Sequence, residues 1–323
     1  MKSLKTWIVT DGKIGTEKQC LALASLLNLT PEVKRIQARN PWKFLPPRLW
    51  FCPLKGLSAK GNLLNGPWPQ VIIGSSRIAA APLAAIKKLL GPKILVIYIQ
   101  NPHLDPAKFD FIIAPSHDEL VGKNVISITG AMAFLKKETL RIEAKKWEKL
   151  LPSLPRPLAT IMLGGNSRHH SMTLELMKEF GGLIRKAALK NPMGFLITAS
   201  RRTPSEALTA FKEALQDTPA YFWDGTGDNP YLGFLGLADF LVVTTDSVSM
   251  ISEALTTEKS VYVLELKSRS NRLSKFISDL KEKGFVRNFM GTFDKFSYPP
   301  LRDHEEVLKK IEPRLKALSS SNH

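Results

Sequence analysis

The chain has 323 residues, of which 44% are apolar and 23% are charged. This composition excludes a disordered or fibrous protein, and the length predicts two domains. Lys and Arg outnumber Asp and Glu by 46 to 29, which gives a formal net charge of +17 and an isoelectric point near 9.8. Such a charge favours an anionic partner, and nucleic acid, an anionic membrane surface and phosphorylated small molecules all fit it.

Cysteine usage and the first residues bear on the compartment. Cys20 and Cys52 are too few for a disulfide framework or a zinc site, so a reducing compartment is expected. The N-terminus runs directly into a β-branched stretch, which disfavours a signal peptide or transit segment. The longest apolar stretches are far shorter than the roughly 20 residues that cross a bilayer. We expect a cytoplasmic protein, with peripheral attachment to the inner face of the cytoplasmic membrane as a further expectation.

Strands and helices alternate in the first half of the chain. Apolar runs and helical periodicity predict strands at residues 7–10, 71–74, 93–100, 109–115 and 125–128, and helices at 17–27 and 77–90. Alternation of this kind is typical of an open, mostly parallel α/β sheet. Residues 145–157 then combine a charged helix end with three prolines and are typical of a linker.

The second half repeats the same order of elements. Its pattern predicts strands at 159–163, 194–198, 240–244 and 261–264, helices at 172–190, 205–216 and 249–257, and a last helix at 305–318. The predicted fold class is therefore α/β, with two similar Rossmann-like domains facing a cleft. We place an N-terminal domain at 1–150, a C-terminal domain at 151–302, and a terminal helix and tail at 303–323.

The positive charge is concentrated in the first predicted domain. Residues 1–150 contain 23 Lys and Arg against 10 Asp and Glu, whereas residues 151–323 contain 23 against 19. The surface that attracts anions is therefore expected to be mainly N-terminal.

The loop after the first strand contains Gly12 and Gly15 and enters a helix. In open α/β sheets, ligands bind outside the carboxyl ends of the strands. Backbone N–H groups in this loop can hold an anion or a substrate hydroxyl, and Asp11 can act as a base. A plain turn capped by Asp11 and Thr16 is the alternative, and the spacing is not that of a P-loop.

Two loops of the second half place hydrogen-bond donors at predicted helix starts. Gly164 and Gly165 allow close backbone approach after the first strand of this half. The donors that suit a phosphate there are Asn166, Ser167, Arg168, Arg201 and Arg202. For the arginines, a solvated loop charge is the alternative. The adjacent His169 and His170 lack the convergent ligands of a zinc site, so no metal is expected.

The most informative loop precedes a short helix late in the second half. Asp246, Ser247 and Ser249 lie where that helix begins, so the serines and the free N–H groups can bind phosphate. Glu253 lies about one turn further, where a carboxylate can accept hydrogen bonds from ribose hydroxyls. Asn229, in a Gly-rich turn upstream, completes the predicted nucleotide site. N-capping explains part of the same pattern.

Gly-rich loops after the first strand of each half, with the Ser-x-Ser…Glu-Ala helix start, resemble the GT-B fold of nucleotide-sugar glycosyltransferases. More closely, six motifs in order resemble the mitochondrial fission "elongated mitochondria" family. They are Thr10-Asp11-Gly12-Lys13, Ile99-Gln100-Asn101-Pro102, Gly164-Gly165-Asn166-Ser167-Arg168-His169, Ser200-Arg201-Arg202-Thr203, Asp224-Gly225-Thr226-Gly227-Asp228-Asn229-Pro230-Tyr231 and Asp246-Ser247-Val248-Ser249-Met250. The resemblance spans about residues 6–263 and implies a GT-B-like fold.

The resemblance implies more than one kind of activity. Plant members of the family act in mitochondrial division, and bacterial members are described as nucleoside-diphosphate-sugar epimerases. The family pattern has His where this chain has Thr16, and Asp where it has Asn101. If that His is a base, this chain must use Asp11 or Glu17 instead, or lack that chemistry.

A basic and aromatic stretch lies between the first two α/β units. Its residues Trp42, Lys43, Phe44, Arg48 and Trp50 interleave large apolar side chains with cations, as a protein needs at an anionic bilayer surface. Stacking on single-stranded nucleic acid is a second use, although no nucleic-acid-binding module is visible. Local core packing of the aromatic rings is the third.

These features together predict a GT-B-type glycosyltransferase. It would take a sugar from a nucleotide-sugar donor, without a metal or cofactor, and act at a membrane surface on an envelope or lipid-linked acceptor, with no nucleic acid as partner. Alternatives are a nucleoside-diphosphate-sugar epimerase and a non-catalytic membrane adaptor.

Overall fold

The computed structural model describes residues 4–299 and 301–320. Within them the chain divides into two compact units. Unit 1 contains the residues up to Phe134 and those from Leu301 onward, and unit 2 contains the residues between them.

Each unit is built on a six-stranded parallel sheet. The strands of unit 1 are β1 (Thr6–Thr10), β2 (Pro31–Arg35), β3 (Val71–Ser75), β4 (Leu95–Ile99), β5 (Phe111–Pro115) and β6 (Val125–Ile128). Those of unit 2 are β7 (Leu158–Leu163), β8 (Gly194–Ala199), β9 (Ala220–Phe222), β10 (Phe240–Thr244), β11 (Ser260–Leu264) and β12 (Val286–Asn288). Strands β1, β3 and β4, like β7, β10 and β11, are buried along their whole length, as parallel strands covered on both faces should be.

Helices alternate with the strands throughout unit 2, whereas in unit 1 no α-helix separates β2 from β3, β4 from β5 or β5 from β6. They are α1 (Ile14–Leu26), α2 (Arg77–Leu90), α3 (Lys137–Glu148), α4 (Leu174–Lys190), α5 (Ser205–Leu215), α6 (Tyr231–Leu237), α7 (Val248–Leu255), α8 (Asn271–Glu282) and α9 (Asp303–Ser320). Helix α4 shows why these segments are helical. The Thr173 side chain caps its first turn, and Met177, Phe180 and Ile184 recur at helical spacing on its buried face.

The order of strands reverses once within each sheet, at the centre of the sheet in unit 2 and nearer one edge in unit 1. Unit 1 has the order β2-β1-β3-β4-β5-β6, and unit 2 has β12-β11-β10-β7-β8-β9. Unit 2 therefore has the strand order of the Rossmann fold, with its reversal between β7 and β10, and unit 1 reverses between β1 and β3. This confirms the predicted fold class, α/β with two similar Rossmann-like domains of the GT-B-like kind.

Helix α3 lies in unit 2, although the predicted boundary at residue 150 put it in the first domain. The reason is its apolar face. Trp147 packs in one buried cluster with Phe234 and Leu237, and Gly233 lets the indole approach closely because a Cβ there would meet the ring at less than 3.0 Å. The unit boundary is set by this packing, while the prolines of the predicted linker lie inside unit 2.

Helix α9 returns the end of the chain to unit 1. Its side chains Val307, Ile311, Leu315 and Leu318 belong to the same buried cluster as the strands of the first sheet. At its start, the Asp303 carboxylate accepts hydrogen bonds from the backbone N–H and hydroxyl of Thr129 at 2.9 and 3.1 Å. The last helix is thus part of the core of unit 1.

The basic and aromatic stretch is anchored by its tryptophans. Trp42 and Trp50 are buried, and their indole N–H groups donate to the carbonyls of Phe51 and Leu45. Both rings therefore pack in the buried core, as the local-packing alternative predicted. Neither is exposed to solvent as a residue that contacts a membrane would be. Phe44, in contrast, is 74% exposed.

No helix in the described part of the chain has both the length and the apolar character needed to cross a bilayer.

Candidate functional site

The candidate site of unit 2 lies where β7 and β10 meet at the reversal of strand order. The two strands are parallel neighbours, so the loops that follow them leave the same edge of the sheet. This edge is where open α/β sheets bind their ligands. The predicted residues 164–168, 201–202 and 246–249 all belong to loops or helix starts at this edge.

Gly164 and Gly165 are required by the way these loops pack. A Cβ on Gly164 would lie less than 3.0 Å from the carboxylate of Asp246, and one on Gly165 would lie equally close to the backbone of Arg202. The close approach predicted for these glycines is therefore an approach between loops of the protein itself.

Asp246 holds the site together. Its carboxylate accepts hydrogen bonds from the Gly165 N–H at 2.9 Å and from the Thr244 hydroxyl at 2.7 Å. The Asn166 N–H donates to the carbonyl of Arg202 at 3.0 Å, which joins the loop after β7 to the loop after β8. Three loops are thus held in one arrangement, with the half-buried Asp246 as a structural acceptor.

Helix α7 begins at this junction. The Ser247 hydroxyl caps it by accepting from the N–H of Met250 at 3.3 Å, so the predicted role of Ser247 as a cap is present in the structure. Ser249 lies in the first turn and is partly exposed. The first N–H groups of a helix have no acceptor within it, so this end favours an anion.

Glu253 is buried, and only 9% of it is exposed. The hydroxyl of Tyr231, on α6, donates to its Oε2, and the Asn229 side chain accepts from the Tyr231 N–H at 2.9 Å. Asn229 therefore fixes the start of α6, and Tyr231 fixes the carboxylate of Glu253. The sequence prediction missed Tyr231, although it lies within one of the quoted motifs.

Lys259 stabilises the other end of α6. Its Nζ donates to the carbonyls of Leu235 and Gly236 at 2.7 and 2.8 Å. A cation in this position stabilises the C-terminus of a helix. Burial lowers the pKa of the ammonium group to about 8, and the nearby Asp239 carboxylate opposes this shift.

This lowered pKa predicts a pH dependence of stability. Because the unfolded chain holds the Lys259 proton up to a higher pH than the folded chain does, this residue makes the free energy of unfolding rise as the pH rises from about 8. From pH 8 to 9.5 the gain is about 1.5 kcal/mol. It should be measured by urea denaturation, as the difference between the wild type and Lys259→Met. A difference that stays constant over this pH range would contradict the prediction.

Three arginines flank the junction of the loops. Arg168, Arg201 and Arg202 are all exposed, on the two loops that are hydrogen-bonded to each other. Their guanidinium groups can move toward a phosphate without breaking a buried contact.

His170 is buried, in contrast to these arginines. Its Nδ1 lies 3.3 Å from the Ser167 hydroxyl. Burial lowers the pKa of His170, and the Asp246 carboxylate opposes that shift. Within residues 4–299 and 301–320, no three His, Cys, Asp or Glu side chains are grouped so that they could hold a metal ion.

The candidate base Asp11 lies after β1 in unit 1, at the reversal between β1 and β3. Its Oδ2 pairs with the ammonium group of Lys13 at 2.8 Å, and its Oδ1 accepts from the Thr16 hydroxyl at 3.2 Å. Lys13 is largely exposed, so this ion pair is weak and can open to admit a substrate hydroxyl. The Thr16 hydroxyl also lies 2.8 Å from the Lys13 carbonyl, so it is shared between that carbonyl and Asp11.

Glu17 is paired more tightly. The guanidinium of Arg35 donates to both of its carboxylate oxygens, at 2.8 and 2.7 Å, and this hydrogen bonding lowers the pKa of Glu17. A carboxylate held in this way is a poor proton acceptor, so the geometry favours Asp11.

The glycines of this loop differ in importance. Gly12 has a positive φ of 79°, which favours glycine, whereas a Cβ on Gly15, in the first turn of α1, would meet nothing within 4 Å. The neighbouring loop adds Ser76 at a φ of 92°, with a buried hydroxyl that has no hydrogen-bond partner among the residues that the structure describes. Non-glycine residues with such backbone angles occur most often at functional sites.

A family model described as "Mitochondrial fission ELM1" matches residues 14–315. The chain belongs to the mitochondrial fission ELM1 family. The resemblance predicted from the six motifs is thereby confirmed.

Two relatives place this ELM1 family member among plant and bacterial sequences. It is 30% identical over 276 residues to the mitochondrial fission protein ELM1 of Arabidopsis thaliana, a match that covers 77% of this chain and 64% of that protein. The chain thus spans less than two thirds of the Arabidopsis protein. It is also 26% identical, over 97% of its own length and 99% of the other, to the uncharacterized protein RP120 of Rickettsia prowazekii.

Solved structures share the fold of this ELM1 family member. A UDP-N-acetylglucosamine 2-epimerase superposes with a TM-score of 0.57 at 12% identity, covering 100% of this chain and 98% of that one. The UDP-GlcNAc 2-epimerase of Methanocaldococcus jannaschii gives 0.54 at 13% identity, with coverage of 96% and 92%. The enzyme from Neisseria meningitidis, solved with UDP-GlcNAc bound, gives 0.50 at 14%, with coverage of 97% and 92%. At these identities the likeness concerns the fold alone.

Proposed function

We propose that this ELM1 family member binds a nucleoside-diphosphate sugar at the carboxyl edge of unit 2 and transfers the sugar to an acceptor. One observation carries the proposal. The first turn of α7 and the exposed arginines Arg168, Arg201 and Arg202 lie on loops that Asp246 and the backbone bind into one arrangement.

The binding part of the proposal follows from charge and hydrogen bonding. A diphosphate carries negative charge, which the N-terminus of α7 and the arginine side chains stabilise. The hydroxyl of Ser249 supplies a further donor. The Glu253 carboxylate, whose Oε2 accepts from the Tyr231 hydroxyl, is the group that would accept from a ribose hydroxyl.

The transfer part assigns the proton to Asp11. The acceptor oxygen forms a bond to the anomeric carbon of the donor sugar, the bond from that carbon to the diphosphate oxygen breaks, and the nucleoside diphosphate leaves. The acceptor's proton passes to a carboxylate, and Asp11 is the candidate for this role. The positive groups of unit 2 stabilise the charge on the leaving diphosphate.

Isothermal titration calorimetry tests the binding part. We expect heat of binding with UDP and UDP-GlcNAc, chosen because fold relatives bind UDP-GlcNAc, or with ADP, GDP or TDP. Arg202→Ala should weaken the binding about tenfold, the effect of losing one charge-assisted hydrogen bond. The control is Arg185→Ala, on α4 more than two turns beyond its start, which should bind like the wild type.

Reaction products separate the chemical alternatives. Proton NMR of the nucleotide sugar incubated with the protein should show release of nucleoside diphosphate when an acceptor is present, and Asp11→Asn should abolish it. An intact nucleotide sugar with inverted configuration at one carbon of its sugar would favour the epimerase alternative. Absence of binding to every nucleotide would overturn the proposal and favour a non-catalytic adaptor.

A further inference from the structure

A long segment of unit 1 contains cations and no acidic residues. Between Glu32 and Asp105, a stretch of 72 residues, there are 11 Lys and Arg and no Asp or Glu. Lys34, Arg35 and Lys87 pair with carboxylates that lie outside the segment, and the remaining cations produce a positive local potential that attracts anions.

Within this segment, three large apolar side chains lie on the surface. Phe44, Leu49 and Phe51 are 74%, 55% and 58% exposed. Lys43, Arg48 and Lys55 are interleaved with them in the chain and are also exposed. These six residues are called the basic apolar patch below.

The backbone beneath the patch is held firmly. Trp42 stacks against Phe51 with ring centroids 4.6 Å apart, and it also fills the space left by Gly56, where a Cβ would meet the indole at less than 3.0 Å. From α2, the guanidinium of Arg77 donates to the carbonyls of Leu45 and Lys43 at 2.7 and 2.6 Å. The apolar side chains are therefore displayed by a fixed scaffold, and little ordering is needed when they bind a partner.

We propose that the basic apolar patch is a docking surface for an anionic lipid bilayer. Phe44, Leu49 and Phe51 would enter the boundary between headgroups and acyl chains, and the cations beside them would contact lipid phosphates. A bilayer is favoured over nucleic acid because Leu49 has no ring for base stacking and because the two tryptophans are buried beneath the surface, which leaves Phe44 and Phe51 as the exposed rings of the patch. This proposal does not depend on the proposed glycosyl transfer.

The native cysteines give a direct measurement. Cys52 is exposed next to Phe51, and Cys20 is buried, so a thiol-reactive NBD fluorophore will label Cys52. Vesicles of phosphatidylcholine with about one third phosphatidylglycerol should raise the emission and shift it to the blue, and pure phosphatidylcholine vesicles should not. The same fluorophore on Cys52→Ser/Val121→Cys, at a site elsewhere in unit 1, should report no change.

Vesicle sedimentation of matched variants tests the named residues. The triple variant Phe44→Ser, Leu49→Ser, Phe51→Ser should lose at least about tenfold in affinity. Its control is Leu89→Ser with Val121→Ser, which are 64% and 87% exposed in the same unit. Leu89 lies twelve residues beyond Arg77, about 18 Å along the axis of α2. The control should bind like the wild type.

Charge reversal tests the electrostatic part. Lys43→Glu with Arg48→Glu should weaken binding to the anionic vesicles at least about 25-fold, because each cation near such a surface contributes about fivefold. Lys88→Glu with Lys123→Glu makes the same change in net charge and should have a clearly smaller effect. Equal losses in both pairs, or no binding to anionic vesicles, would overturn the proposal. Tighter binding to a single-stranded RNA than to vesicles, lost in the triple variant, would also overturn it.

Discussion

Gly165→Ala is expected to lower the free energy of unfolding of unit 2 by about 3 kcal/mol, the cost of forcing a methyl group into a filled space. The added Cβ would lie less than 3.0 Å from backbone atoms of Arg202, and backbone cannot rotate away as a flexible side chain can. The loops after β7 and β8 would have to separate, which breaks the hydrogen bond from Asn166 to Arg202. Affinity for the nucleotide should fall with stability.

A glycine in the same unit provides the matched control. Gly182 lies inside α4 and a Cβ there meets nothing within 4 Å, so Gly182→Ala should stabilise the helix by about 0.8 kcal/mol. Urea denaturation followed by circular dichroism measures both variants. If Gly165→Ala were as stable as the wild type, the packing of the two loops would not be what the geometry indicates.

Asp246→Ala should cost about as much, because it leaves the Gly165 N–H without its acceptor and the Thr244 hydroxyl with only the Met162 carbonyl within reach, at 3.5 Å. The Gly165 N–H and the Thr244 hydroxyl both donate to this carboxylate, and a buried donor left unpaired costs about 1–3 kcal/mol. We expect a loss of about 3 kcal/mol in unfolding free energy, with a clear loss of nucleotide binding because α7 no longer begins at a fixed position.

Two further variants show whether the lost acceptor causes this loss of stability. Asp246→Asn keeps one oxygen acceptor and should recover part of the stability. Asp217→Ala removes an exposed carboxylate elsewhere in unit 2 and should change stability by less than about 0.5 kcal/mol. If Asp246→Ala and Asp217→Ala proved equally mild, Asp246 would not be the residue that joins the loops.

The alternating architecture was predictable because its elements have strong local patterns. Strand β6 and helix α2 coincide with the predicted residues 125–128 and 77–90. The edge strand β2 was not predicted, since its sequence PEVKR begins with proline, carries three charges and is only partly buried. Strands β9 and β12 have three residues each, too few to show a period.

The candidate site was predictable in position but not in its internal contacts. Local patterns place Asp11 and Asp246 just after strand ends and Glu253 in the helix that follows Asp246, which follows from the chain alone. They give no sign that Arg35 pairs with Glu17 from 18 residues away, or that Tyr231 reaches Glu253 across 22 residues. Such pairings are set by the tertiary fold, so sequence reasoning left Asp11 and Glu17 undecided where the contacts favour one of them.

The return of α9 to unit 1 has a consequence for how the protein is made. Unit 2 is continuous in sequence, so all of it has been synthesised before the ribosome reaches Leu301. The core of unit 1, in contrast, includes Val307, Ile311 and Leu315, which are translated after all of unit 2. Unit 2 is therefore synthesised in full while the sheet of unit 1 still exposes the apolar surface that α9 covers. The domain that begins first is the one that finishes last.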